Sequence, residues 1–199
     1  MITTIIFDLA EVLLKGTKGI GYLLGPMLNL PPEQVFPLLK GPELESLFHG
    51  QLSEEEYWQK ILHKNQWKLS IEQLKEVVRK NFQEINGTRA ILEKLKQKGY
   101  KLGLLSVHAK EWVDHCDHKY DYHKLFHSIC YSFEIGISKS DKKSYLHILQ
   151  RLQATPTECL FIDDKEVNLA AARELGLQTL LFRNADQLKK DLPTFSIRI

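Results

Sequence analysis

The chain is expected to fold as an α/β protein: a parallel sheet covered by helices on both faces, with an all-helical segment inserted after the first strand. Three observations carry that expectation. Five short apolar runs have strand length, amphipathic helical patterns separate the last four of them, and the stretch from about 15 to 86 contains no convincing strand. With 43% hydrophobic and 26% charged side chains, the 199 residues suit one globular unit or a core of about 120–130 residues carrying a smaller insertion.

The first run, Ile2 to Phe7, ends abruptly at Asp8. Pro26, Pro31, Pro32, Pro37, Gly41 and Pro42 then cut the chain into short helices and turns. Ser53, with Glu56 three residues on, forms a capping box that opens a helix through Trp58, Ile61 and Leu62. Ser70 to Ile85 sets Leu74, Val77, Val78 and Phe82 at helical spacing. Arg89 to Lys98 places Ile91, Leu92 and Leu95 on one face and stops at Gly99. From there strands and helices alternate: Lys101 to Leu105, a polar helix and loop, Ser128 to Phe133, a helix over Ser144 to Leu152, Cys159 to Ile162, a helix over Asn168 to Leu175, and Thr179 to Phe182. Such βαβ units make a parallel sheet. Residues 1–14 and 87–199 are therefore expected to form the α/β core, and 15–86 a helical cap able to cover Asp8.

Charge and cysteine usage narrow the class. The 27 basic and 25 acidic side chains are interspersed, leaving a net charge of +2 and no basic stripe, so no nucleic-acid partner is expected. Cys116, Cys130 and Cys159 are odd in number and form no C-x-x-C pair, which speaks against a disulfide framework. No apolar run approaches the roughly 20 residues of a membrane span, and the first segment lacks a basic leader region. A soluble, cytoplasmic protein with no membrane partner is the expectation, with oligomeric state open.

The strand ends hold the chemistry. Asp8 ends the first strand, Ser106 follows the second, Lys139 lies in the loop after the third, and Asp163-Asp164 follow the fourth. In an open α/β sheet these positions share the crevice beyond the carboxyl ends of the strands. Paired acids facing one site repel unless a cation or proton lies between them, and a hard, oxygen-ligated ion such as Mg²⁺ answers that repulsion.

The order Asp, Ser, Lys, Asp-Asp, each following an apolar strand, resembles the haloacid dehalogenase (HAD) superfamily, and the likeness extends over essentially the whole chain with its helical insertion after the first motif. The resemblance implies a Rossmann-like core. It also implies that Asp8 is a nucleophile, that Ser106 and Lys139 hold a transferring phosphoryl group, and that Mg²⁺ is bound by Asp8, the Ala10 carbonyl and Asp164, with Asp163 either a further ligand or a partner of the ligands. The implied activity is a Mg²⁺-dependent phosphatase acting on a small phosphorylated metabolite through an aspartyl-phosphate. Two positions depart from the pattern. Phosphatases of the superfamily usually carry a second Asp where this chain has Ala10, so proton transfer worth about 10²–10⁴ in rate is missing at that position. Glu11 stands where a Gly or small residue is common; in an extended segment its side chain is expected to face away from the place Ala10 vacates. Ala10 keeps two alternatives open: carbon–halogen hydrolysis, in which halide leaves without a proton, and a HAD-fold binding or regulatory protein that does not turn over.

Other polar residues are expected to matter less. His108, His115, His118, His123 and His127 crowd near Cys116 without a standard zinc spacing, and only His108, two residues after Ser106, is close enough to the site to meet a substrate. Trp58, Trp67 and Trp112 are expected to pack, and Lys15 and Lys18 to be solvated.

Overall fold

The computed structural model describes all 199 residues. Strand β1 (Thr4–Phe7) is followed by helices α1 (Ile20–Leu28), α2 (Pro32–Leu39), α3 (Pro42–Phe48), α4 (Glu54–Asn65) and α5 (Ile71–Asn81), then by α6 (Thr88–Gln97). The remainder alternates: β2 (Lys101–Ser106), α7 (Lys110–Tyr120), β3 (Ser128–Tyr131), α8 (Ser132–Ile135), α9 (Lys143–Leu152), β4 (Cys159–Asp163), α10 (Glu166–Arg173), β5 (Gln178–Leu181) and α11 (Ala185–Asp191). All pairings are parallel, in the order β3-β2-β1-β4-β5. No helix is long and apolar enough to cross a membrane.

That order places β1 at the centre, where the winding reverses and a crevice opens beyond the strand ends. Period-two alternation sends Ile6, Leu105, Cys130 and Phe161 to one face, against Ile148, Leu149, Leu169 and Ala172 of α9 and α10. Ile5, Phe7, Leu104 and Ile162 go to the other, with Ile91, Leu95 and Leu188 of α6 and α11. Covered on both faces, the central strands β1, β2 and β4 are apolar through their middles, while the edge strands β3 and β5 are partly exposed.

The inserted helices follow from local signals. Both parts of the Ser53–Glu56 capping box are made, and Ser70 with Gln73 repeats the device at the start of α5. α1 approaches the next segment so closely that a Cβ on Gly21 would lie 2.0 Å from the Pro32 carbonyl oxygen, which explains a glycine inside a helix there. α5 stops short of the expected Ile85, because Phe82 turns extended and the following residues pair with the outgoing chain: Lys15 N–H donates to Gln83 O (2.8 Å) and Ile85 N–H to Leu13 O (2.8 Å). The strand expected to reach Phe133 ends at Tyr131. Ser132 turns the chain, its Oγ donating to Phe48 O at 2.6 Å and accepting from His108 N–H at 3.2 Å.

Contacts between the inserted helices and the sheet domain are polar as well as apolar. Glu54, 2% exposed, receives Arg79 through two bonds (2.8 and 2.6 Å) and the Trp112 indole N–H at 2.8 Å, joining α4, α5 and α7. His49 and Ser138 meet at 2.8 Å, next to the loop that carries Lys139.

Candidate active site

Asp8 lies one residue beyond β1, its N–H donating to Ile162 O at 2.9 Å, so the strand register sets it level with Asp163. Lys139 Nζ reaches both carboxylates, 2.8 Å from Asp8 and 2.6 Å from Asp163. All three are nearly sealed from solvent, with Asp8 and Lys139 each 4% exposed and Asp163 fully buried. Asp8, Asp163 and Asp164 each bring a carboxylate oxygen within 4.8 Å of the others. The Ser106 side chain ends β2 and is buried, its Oγ unpartnered.

The two adjacent acids have different surroundings. Asp163 Oδ1 accepts from Lys165 N–H (2.8 Å) and Asn168 Nδ2 (3.0 Å), while Oδ2 accepts from Lys139 (2.6 Å) and Asn168 (3.0 Å). Its acceptor capacity is used within the protein. Asp164 Oδ1, by contrast, is buried without any partner, an arrangement that costs about 1–3 kcal/mol unless something else meets it. The Ala10 carbonyl also receives no hydrogen bond from the chain, and Ala10 and Asp164 line the same cavity.

The electrostatics follow from burial. Burial pushes the Asp8 carboxyl up to about 6, the Lys139 ammonium pulling against it and the neighbouring Asp163 charge adding to it. Burial alone would lower Lys139, but its two carboxylate partners outweigh that and hold it above the ordinary lysine range. Asp164 is raised, again chiefly by burial. Near neutral pH the site therefore holds an ionised Asp8 beside a charged lysine.

Glu11 departs from expectation. Its backbone is left-handed (φ 62°) rather than extended, so the alternation argument fails and the side chain turns back to the cavity. There Oε1 accepts from Gly16 N–H (3.0 Å) and Lys18 N–H (3.3 Å), tying down the chain that leads into the inserted helices. Burial raises its carboxyl above the usual range.

The cavity, about 460 Å³, opens past Ala10 and Asp164 and is walled by Tyr22, Phe36, Phe48, His108 and Trp112. Lys18 also borders it, whereas Lys15 is exposed elsewhere. Trp112, in the first turn of α7, meets the His108 ring edge-on at 5.8 Å and joins the wall; its spacing from His108 carries no signal of this, because His108 precedes the helix and Ala109 between them is extended. Trp58 is fully buried against Tyr57 and Trp112 and does not reach the cavity. Among His, Cys, Asp and Glu side chains, only Asp8, Asp163 and Asp164 cluster with metal-ligand spacing. The crowded histidines do not; His123, for example, is occupied by Asp117 and Tyr131.

An open parallel sheet that delivers acids, a hydroxyl and an ammonium to the carboxyl end of its central strand defines an α/β protein with an enzyme-type crevice. The chain belongs to the haloacid dehalogenase-like hydrolase family, whose family model matches residues 5–182. It is 29% identical over 129 residues to flavin mononucleotide hydrolase 1 of Arabidopsis thaliana, which covers 65% of this chain and 52% of that protein, so the match spans about half the relative's length. Among solved structures, a HAD family enzyme of Bacteroides thetaiotaomicron, crystallised with magnesium and inorganic phosphate, superposes with a TM-score of 0.78 at 20% identity over 92% of this chain and 96% of that one. A HAD-like hydrolase of Porphyromonas gingivalis gives 0.76 at 21% identity over 98% and 97%. At these identities the likeness to the solved structures concerns the fold.

Proposed function

We propose that the chain is a Mg²⁺-dependent phosphatase acting on a small phosphorylated molecule, with Asp8 as nucleophile. The observation that carries this reading is a pair of buried, unpartnered oxygens, Ser106 Oγ and Asp164 Oδ1, in the crevice that holds the Asp8–Lys139 pair. A hydroxyl with no partner suits a phosphoryl oxygen, and a carboxylate oxygen with no partner suits a cation. The magnesium and phosphate in the Bacteroides structure and the hydrolase name of the Arabidopsis relative support the same reading.

In this assignment Asp8, Asp164 and the Ala10 carbonyl hold Mg²⁺, which when bound offsets the repulsion between a carboxylate and an incoming phosphate dianion. Asp163 acts through others: saturated by Lys139, Asn168 and Lys165, it fixes the lysine against Asp8. Ser106 and Lys139 orient the phosphoryl group, and Asp8 attacks phosphorus as the leaving oxygen departs. Water then hydrolyses the aspartyl-phosphate, restoring Asp8. Residues 15–86 serve as a cap whose helices wall the cavity, and their polar ties to α7 and the Lys139 loop hold that wall in place.

Ala10 favours one further reading, carbon–halogen hydrolysis. The cavity wall provides Lys18 and Lys165 but no arginine, and Arg79 is held by Glu54, so nothing there clamps a small carboxylate bidentately. The test is phosphate release from phosphomonoesters, sugar 1-phosphates and acyl phosphates, with Mg²⁺ or EDTA, for wild type and Asp8→Asn. Release that needs both Mg²⁺ and Asp8 is the expected result. Turnover surviving Asp8→Asn contradicts the nucleophile, metal-free halide release from a 2-haloacid supports the second reading, and a folded protein inert toward all of these supports the binding-protein alternative.

A further inference from the structure

His108 has a role that the phosphoryl site does not use. Its ring is enclosed by Phe82, Trp112 and Phe48, with centroids 5.5, 5.8 and 6.3 Å away. Burial pushes its pKa down to about 4, so the imidazole is neutral near pH 7. Nδ1 accepts the Ala109 N–H at 3.2 Å, which places the ring proton on Nε2. No group of the chain accepts from Nε2, and His108 lines the cavity, so this donor faces the space a substrate would enter. A neutral donor surrounded by rings selects a neutral acceptor, not a second anion.

The aromatic part of the wall points the same way, while Lys18 and Lys165 border the cavity as its cations. Phe36 and Phe48 line the cavity, and Tyr22 stands at its border with 75% of its surface exposed, a large aromatic ring that the fold leaves uncovered. At the floor, Ala10 supplies no proton to a departing oxygen, which restricts the reaction to oxygens that leave well as anions. An oxygen attached to an aromatic ring satisfies both demands, because its ring fills the cavity and stabilises the negative charge.

We infer that the substrate class is an aryl phosphate: a phosphoryl group on the oxygen of a flat aromatic ring that carries an acceptor for the His108 Nε2–H. This rests on the phosphoryl-transfer reading above. An Asp8 oxygen forms the new bond to phosphorus and the bond from phosphorus to the aryl oxygen breaks. The aryloxide leaves with the electron pair and takes its proton from water. Ring stacking supplies affinity and His108 supplies orientation.

The experiment compares binding and turnover. With Mg²⁺ present, phenylphosphonate is expected to bind wild type about 10-fold or more tightly than methylphosphonate, the gap narrowing in Phe48→Leu and Phe36→Leu. Among substrates, 4-acetylphenyl phosphate is expected to exceed both phenyl phosphate and glycerol phosphate in kcat/KM. His108→Phe keeps a ring but removes the donor; it should raise KM for 4-acetylphenyl phosphate more than for phenyl phosphate, and His108→Gln should restore part of the difference. Equal affinity for the two phosphonates overturns the inference, as does faster turnover of glycerol phosphate than of the aryl esters. Asp8-dependent hydrolysis of acetyl phosphate without any aryl preference overturns the inference alone, whereas no release from acetyl or aryl phosphates overturns the phosphatase reading beneath it.

Discussion

Replacing Asp8 by asparagine should make the metal-free protein more stable, by an amount that grows with pH. The Asp8 carboxyl is raised from its ordinary 3.8 to about 6 in the folded chain, so folding holds its proton more tightly than the unfolded chain does. A raised acid binds more protons in the native state, and stability therefore falls as pH rises from the unfolded value through the folded one. Roughly 2.2 units at about 1.4 kcal/mol each make ionised Asp8 cost about 3 kcal/mol above pH ~7. At 4% exposure solvent screens little of this. The substituted amide has no charge to bury, and Lys139 keeps its 2.6 Å partner Asp163, so Asp8→Asn leaves no lone ammonium. His108 has the opposite sign: burial depresses it to about 4 from 6.5, so its contribution is complete above about pH 6.5 and is lost as pH falls toward 4. The two slopes oppose each other in the wild type, so the difference between variants is the informative quantity. Urea unfolding in EDTA at pH ~4.5, ~6 and ~7.5 measures it, and the advantage of Asp8→Asn should grow by about 2 kcal/mol across that range. A destabilising Asp8→Asn, or a difference independent of pH, would refute the claim that burial outweighs Lys139 at this carboxylate.

Three more outcomes follow from the site. Mg²⁺ at about 100 times its dissociation constant should stabilise the wild type by about 2.7 kcal/mol, or about 5–10 °C in Tm, and Asp164→Asn should abolish most of that shift in a thermal melt. Ala10→Asp should raise kcat/KM for alkyl phosphates by about 10²-fold while changing acetyl phosphate far less, because only poor leaving groups need the proton; equal gains on both contradict a missing acid at this position. Arg79→Ala leaves the buried Glu54 carboxylate with only its two indole donors and should cost about 3 kcal/mol in urea unfolding at neutral pH. That cost should shrink on acidification as Glu54, now without its cation, takes up a proton.

The sheet is legible in the sequence because burial on both faces makes its central strands nearly pure apolar runs, and because Asp8, Ser106 and Asp163 stand at or just beyond their ends. Gly99 and Gly176 mark helix stops for one local reason: both adopt positive φ, where glycine is unstrained. Boundaries shift from the pattern where tertiary contacts intervene, as at Ser132, whose hydroxyl is claimed by Phe48 O, and at Phe82, where pairing with the outgoing chain ends α5. Glu11 defeats the pattern because period-two alternation holds only for extended backbone, and its left-handed φ has no signature in a Glu. The resemblance separates Asp164, as the direct ligand, from Asp163, but the residues themselves give no reason for it. Adjacent acids look alike in sequence, and only the positions of Lys139 and Asn168 decide which one is saturated and which has an oxygen to spare. Phe36 and Phe48 carry no signal either, since an aromatic residue on an amphipathic helix reads as core until the neighbouring elements are placed.

Everything proposed for the site depends on Asp8 taking the phosphoryl group, and Ala10, which offers no base to the hydrolytic water, should make its release the slower step. Rapid mixing of enzyme, Mg²⁺ and an aryl phosphate, followed by acid quench and peptide mass analysis, probes both steps. The expected result is a burst of aryloxide near one equivalent per active site and a phosphoryl group on the peptide containing Asp8. Steady aryloxide release without a burst, with no phosphoryl group on Asp8, would contradict it.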